Sequence, residues 1–409
     1  MIDISFSLFV FALILMWSTT IGKIIMLCFT ILSLFVSVKK FQITMYHVVE
    51  GLFVLYVLMQ VFTGVAQMPK ATLNMAITMI YTTLFSIGMY NYCVLCGDLG
   101  GLVRRYANIS VIGFIVAIFL YHNTIITTSR LAIDPYIYIG RIAVFGRSSS
   151  VSLAIEAVIP AFFIMLIPPN RNRKKAFEYV LFFALIALLS GTRKVLPIFV
   201  FIMVIESELA KSGKRQFKLL RIFIWTIVFI IISYILIMNV PILYNTIGVR
   251  IKSAIGFYSI EGALDKSLRV RKRMVDSAVN LYQARPFLGW GMDYYKYSEL
   301  SELGTYSHNN FLELLSGGGL VGFFLYYLKY ILLLKEYFKC LLKSKEQKYK
   351  LISCILFIVI MIIIEYWQVT YFYRFIMIYQ VILLAIVKNE VQGKGCLCDK
   401  KVLLYNKNN

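Results

Sequence analysis

Apolar residues fall along this chain in long blocks rather than in alternation. Mostly hydrophobic runs occupy about 4–18, 21–38, 44–65, 71–93, 108–126, 149–167, 177–190, 195–205, 222–243, 309–334, 351–367 and 374–388. A helix crosses a bilayer with about 20 such residues, and a helix apolar all round is one surrounded by other helices or by lipid. The pattern predicts an all-α, polytopic integral membrane protein with about twelve transmembrane helices. The seventh and eighth runs are short and are separated by Ser190-Gly191-Thr192-Arg193-Lys194, an interruption tolerated where helices line a polar cavity. Met1-Ile2-Asp3 carries no basic stretch of a cleavable signal, so the first run is expected to stay in place as a helix.

Charged residues between the runs set the orientation. Lys39 and Lys40, Arg104 and Arg105, the 171–175 and 211–221 clusters, the 335–350 cluster and the tail from Lys388 hold 24 Lys and Arg in every second loop, against eight in the alternate short loops. Basic residues are retained on the cytoplasmic side, so both termini are expected in the cytoplasm. The same parity sends the one long hydrophilic segment, about 244–308, to the outer face. The expected division is 1–243 for the first nine spans, 244–308 for the outer loop, 309–388 for the last three spans and 389–409 for a cytoplasmic tail. A 65-residue insertion is long for a connection, and chemistry is expected there.

Composition adds to this by exclusion. With 60% hydrophobic and 15% charged residues and a mean hydropathy of +0.78, the chain lacks the polar surface of a soluble enzyme. The net charge of +22 sits in short clusters between apolar runs, which favours cytoplasmic loops over a nucleic-acid surface. None of the seven cysteines lies in a segment placed outside, so no disulfide framework is expected. Cys93-x-x-Cys96 and Cys396-x-Cys398 lack a second ligand pair, and a zinc site is not expected.

Within the outer loop, Arg271, Val275, Ala278 and Tyr282 recur at helical spacing. Pro286 closes that helix, and Gly289 and Gly291 flank a turn around Trp290. His308-Asn309-Asn310 precedes the next span, which carries Gly317-Gly318-Gly319. This stretch resembles the O-antigen polymerase and ligase family of membrane glycosyltransferases. That family's pattern is an Arg opening an amphipathic helix, then Pro-x-x-Gly-x-Gly, then His-Asn before a span with a downstream Gly. Arg271 lies 15 residues before Pro286, Pro286-Phe287-Leu288-Gly289-Trp290-Gly291 fits, and ten residues separate His308 from Gly319. Ser190-Gly191-Thr192-Arg193 is similar to the family's Ser-Gly-x-Arg turn.

The resemblance implies a GT-C-like membrane enzyme that transfers sugars between lipid-linked oligosaccharides at the outer face. The donor would be a glycan on undecaprenyl pyrophosphate, with the bilayer, a chain-length regulator and a flippase as partners, and no nucleic acid and no cofactor. The residue types suit that chemistry. A pyrophosphate leaving group needs its charge neutralised, and the guanidinium fork grips phosphate oxygens in two places. Arg193 and Arg271 are the first candidates, with Arg147 and Arg285 behind them, and arginines doing this work require no metal. His308 has the pKa class of a general base near neutral pH, and Glu313 is placed to orient it or to hold a sugar. Trp290 is a candidate for stacking on a sugar ring.

Each residue has a plainer competing role. Arg269, Arg271, Lys272 and Arg273 would also serve as the headgroup-facing side of an interfacial helix. Arg193 would snorkel, His308 would cap its helix, Trp290 would belong to an interfacial belt, and the three glycines would allow close helix packing. His47 and His122 read as structural, and Glu50 and Glu156 stand out as intramembrane carboxylates. Functionally, a repeat-unit polymerase for O-antigen or capsule leads. A ligase passing the glycan to lipid A core follows: Arg193-Lys194-Val195-Leu196 puts Leu one residue early for the ligase's Arg-x-x-x-Leu. A flippase or other transporter is third, because no internal repeat is visible.

Overall fold

The computed structural model describes residues 2–16, 19–126, 150–168, 172–189, 195–210, isolated positions between 221 and 239, 266–301, 304–343 and 348–391. Every described segment is built from helices and their connections, and no strand occurs among the described residues. In chain order the helices are α1 (Ile2–Leu15), α2 (Thr20–Ser37), α3 (Met45–Phe62), α4 (Pro69–Cys96), α5 (Leu99–Ile126), α6 (Ser150–Leu166), α7 (Arg173–Leu189) and α8 (Leu196–Ala210). Further along the chain come α9 (Lys266–Ala284), the single turn α10 (Tyr294–Tyr297), α11 (Asn310–Lys343), α12 (Lys348–Glu365) and α13 (Arg374–Val391). Each apolar run is thus met by a helix, except the ninth, which lies mostly outside the described residues. Among the described residues, five helices are long and apolar enough to cross a membrane: Thr20–Lys40, Met45–Phe62, Pro69–Cys96, Leu99–Leu120 and Asn310–Lys343.

Local signals set the helix ends. Thr19 accepts the Gly22 N–H at 3.0 Å to cap α2, and Pro69 opens α4, where a missing N–H costs nothing. Gly97 ends α4 in the left-handed region. His47 closes a capping box at the start of α3, its Nδ1 accepting from the Thr44 N–H at 3.3 Å, which is the structural role expected of it. The described cysteines are all free thiols.

The helices share one apolar core running from Phe6 to Val387, while large apolar side chains such as Phe35 (76% exposed) and Phe62 (81%) cover the outside. Such a surface belongs in hydrocarbon rather than water. Alternate loops meet one another in the packing. The loops expected outside meet at one end, where the Gln67 N–H bonds the Trp290 carbonyl (2.9 Å) and the Thr370 N–H bonds Asn310 Oδ1 (2.8 Å). At the other end Gln42 and Asn91 exchange bonds of 2.8 and 3.0 Å, and Asp3 pairs with Arg105 and Tyr92.

Two details depart from the sequence reading. The buried stripe of α9 runs through Met274, Ala278 and Leu281, packed on Tyr295, with Val270 beside it. It lies one residue away from the expected face, and of the expected four only Ala278 is fully covered. More consequentially, the span expected as one continuous helix breaks at Gly319, whose φ of 60° and ψ of −166° are not helical.

Candidate functional site

The break in α11 is filled by the turn that follows α9. In an unbroken helix each N–H bonds the carbonyl four residues back; at Gly319 those partners are lost and must be replaced. The carbonyls of Pro286 and Phe287 take the N–H groups of Leu320 (2.8 Å) and Val321 (3.2 Å), while the N–H groups of Trp290 and Gly291 donate to the carbonyls of Ser316 (3.0 Å) and Gly317 (2.9 Å). Backbone packs on backbone here. A Cβ at Gly289 would stand 2.4 Å from the Gly317 carbonyl oxygen, and one at Gly319 would stand 2.3 Å from that of Phe287. The Pro-x-x-Gly-x-Gly turn and the three glycines of α11 therefore form one joint, and the glycines do more than admit a neighbouring helix.

Helices α3 and α4 hold this joint from the side. Tyr56 donates to the Gly318 carbonyl (2.6 Å), and Gln60 Nε2 donates to the carbonyls of Leu288 (2.7 Å) and Gly317 (2.9 Å). Gln60 Oε1 accepts the Met292 N–H (3.3 Å), and Thr72 donates to the Met292 carbonyl (2.9 Å).

The chain leaving this joint builds a polar corner. Asp293 and His308 are the two non-glycine residues with positive φ among those described, at 69° and 61°, a conformation that Asp and His tolerate better than most residues. Asp293 is buried. Burial pushes its carboxyl up to about 6, against the opposing pull of the Lys296 charge and the nearby Tyr306 hydroxyl. Burial also raises the Tyr306 phenol, with Asp293 and Glu313 both adding to the effect. The phenol of Tyr371, on the loop between α12 and α13, is raised by burial and then by Asp293, Tyr306 and Glu313. Glu313 is buried on the first turn of α11, and its Oε1 accepts the Ser307 N–H at 3.4 Å. Asp293 Oδ1, Glu313 Oε2 and the Tyr371 hydroxyl have no hydrogen-bond partner among the described residues.

His308 is exposed at the lip of this corner. Asn309, not His308, caps α11, its Oδ1 accepting the Leu312 N–H at 3.1 Å. Asn310 is wholly buried and ties the corner to α12: its Nδ2 donates to Glu365 Oε2 (3.0 Å), while its Oδ1 accepts from the Thr370 and Tyr371 N–H groups (2.8 and 3.1 Å). Glu365 also accepts from Tyr327, Tyr330 and Thr370, each at 2.7 Å. Below the corner, a small open cleft is lined by Tyr371, Tyr326, Thr82, Thr83, Glu50 and Lys329 among others. There Lys329 Nζ stands 3.8 Å from Glu50, which partners the first of the flagged carboxylates.

Of the residues singled out from sequence, His308 and Glu313 come together through Ser307. Glu313 holds the backbone ahead of His308. Arg271 is exposed on α9. Arg285 is committed to the joint: its guanidinium lies 4.0 Å over the Trp290 ring, and Nη1 donates to the Val65 carbonyl (3.3 Å). Trp290 stacks on Tyr294 with ring centres 5.3 Å apart and gives its N–H to the Leu281 carbonyl (2.8 Å), so its ring and its donor are both engaged inside the loop. Arg147 and Arg193 lie outside the described residues. Asp293, Tyr306, Tyr371 and Glu365 were not singled out. Asp293 had a signal, two residues past the Gly-x-Gly turn, whereas Tyr371 and Glu365 lie more than 50 residues from His308 and had none.

Residues 136–327, just under half of the chain, match the family described as O-antigen ligase, in agreement with the resemblance read from the motifs. The match takes in α9, the joint and His308, and stops at Tyr327 within α11. No curated protein matches the chain.

Proposed function

We propose, from the O-antigen ligase match across the outer loop, that this integral membrane protein is a glycosyltransferase that polymerises lipid-linked oligosaccharide repeat units. The product is O-antigen or capsular polysaccharide, assembled at the outer face of a bacterial cytoplasmic membrane with both termini inside. In the reaction, a hydroxyl of the acceptor's terminal sugar attacks the anomeric carbon of the donor glycan. The bond from that carbon to the phosphate oxygen breaks, and undecaprenyl pyrophosphate leaves with the electron pair. Arg271 and Arg193, with Arg147, hold the diphosphate and neutralise its growing charge without a metal, while Arg285 braces the joint against Trp290. His308 takes the proton of the attacking hydroxyl, and Glu313 serves the sugar. A chain-length regulator and a flippase act beside it.

The observation that carries this reading is the joint between Pro286–Gly291 and Gly317–Gly319. It holds an exposed imidazole and a buried carboxylate at the end of the bundle where the outer loop folds back, a place open both to a lipid carrier and to its sugars. The test is in vitro elongation of defined undecaprenyl-pyrophosphate-linked repeats by the purified protein. Wild type makes polymer, and Arg271→Ala and His308→Ala lose it while remaining folded. Full polymer synthesis by both variants would refute the assigned roles. The family's printed description favours a second reading, transfer of the finished glycan to lipid A core. Deletion of the gene separates the two: single-repeat glycans on the envelope mean a polymerase, and polymer stranded on the carrier means a ligase.

A further inference from the structure

Buried polar atoms are almost always hydrogen-bonded, and leaving one without a partner costs about 1–3 kcal/mol. Three such atoms collect in one corner here, from three separate parts of the chain: Asp293 Oδ1 after the Gly-x-Gly turn, Glu313 Oε2 on α11 and the Tyr371 hydroxyl between α12 and α13. The residues that carry them are 9%, 4% and 6% exposed. Tyr306 lies among them, its ring centre 4.9 Å from that of Phe372, the neighbour of Tyr371. The backbone at Asp293 is held at a φ of 69°, so the carboxylate is aimed by the joint rather than by its own preference.

The chemistry of these atoms selects the ligand. Two carboxylate oxygens offer only acceptor sites, and a phenol can both donate and accept. A phosphate or other anion would meet two carboxyl groups with one cation, Lys296, set over the Tyr306 ring, and an apolar group would leave all three atoms unpaired. A polyol satisfies them, because each hydroxyl donates one bond and accepts others. Resting on the glycosyltransferase reading above, we infer that Asp293, Glu313, Tyr306 and Tyr371 form a binding pocket for the hydroxyl groups of the acceptor's terminal sugar. The acceptor sugar and the lipid diphosphate thereby occupy separate subsites, the first lined by carboxylates and phenols, the second by arginines. His308 is exposed next to Ser307, whose N–H Glu313 holds.

The experiment is steady-state elongation by the full-length protein in detergent, with a lipid-linked single repeat as acceptor and a longer lipid-linked glycan as donor, each varied in turn. Asp293→Asn should raise the KM for the acceptor at least tenfold and leave the KM for the donor within about twofold, in a protein no less heat-stable than wild type. Tyr306→Phe, which removes one hydroxyl, should raise the acceptor KM severalfold in the same selective way. A purely structural role would lower kcat or stability without separating the two constants. If wild type elongates and both variants keep the wild-type acceptor KM, the pocket is wrong and the enzyme reading stands. If wild type forms no polymer from these substrates, that reading fails and the pocket assignment falls with it. Acceptor binding that EDTA abolishes and magnesium restores would give the carboxylates to a cation and overturn the inference.

Discussion

Replacing Gly319 with alanine tests the joint at its tightest point. A φ of 60° with a ψ of −166° belongs to a region open almost only to glycine, and forcing another residue there costs about 1–3 kcal/mol. The new Cβ would also sit 2.3 Å from the Phe287 carbonyl oxygen and 2.7 Å from the Gly289 nitrogen. Both are backbone atoms that cannot swing aside, so the turn must lift away. The two bonds that it makes to Leu320 and Val321 then weaken, at about 1 kcal/mol each. The sum is about 3–5 kcal/mol of local stability, which raises the open population at least about a hundredfold at 1.4 kcal/mol per decade. Gly304→Ala is the internal control: its φ is also positive at 56°, but nothing lies within 4 Å of the new Cβ, so the cost is only about 1 kcal/mol. Trypsin cleavage after Lys296 in the solubilised protein reports the opening when reclosure is fast relative to cleavage. Cleavage of Gly319→Ala no faster than of Gly304→Ala would show that the turn and the helix break do not support each other.

Glu365→Ala should lower stability by about 4 kcal/mol, because the buried hydroxyls of Tyr327, Tyr330 and Thr370 and the Asn310 amide lose a shared acceptor; a thermal midpoint equal to wild type would contradict this. Arg285→Ala should cost about 2 kcal/mol through the lost stacking on Trp290 and the bond to Val65, whereas exposed Arg271→Ala should stay within about 0.5 kcal/mol in the same melting experiment. The pH dependence follows from Asp293, whose folded pKa of about 6 lies above that of an ordinary aspartate. Between those two values the folded state binds the proton more tightly than the unfolded state, so this residue's contribution to stability falls as pH rises from about 4 to about 6, by up to about 3 kcal/mol. Asp293→Asn should therefore gain on wild type across that window, and parallel stability curves for the two proteins would exclude the assignment.

Residues drawn from opposite ends of the chain make the candidate site, and this limits what can be read from motifs. The family match ends at Tyr327, yet the joint is braced by Tyr56, Gln60 and Thr72 and the corner is closed by Glu365, Thr370 and Tyr371. Pro286, Gly289, Gly291, His308 and Gly319 could be picked out because their spacing is local. The helix braces could not, since a glutamine or tyrosine inside an apolar run looks the same whether it faces lipid or a distant carbonyl.

The sequence by itself determined the all-helical membrane architecture and the positions of the described helices, because hydropathy acts over short stretches and needs no partner to be known. It also marked the turn after α9 and the glycines of α11. Only the tertiary structure decided that these two are one joint, that α11 breaks there, and that α9 turns Met274 and Leu281 inward rather than Arg271 and Val275. Neighbouring stripes of one helix differ by a single residue of rotation, and a broken helix is tolerable only once another segment supplies its missing hydrogen bonds. The same holds for Asp293, Glu313 and Tyr371, whose common property is a shared enclosure that forms when three separate segments close around it.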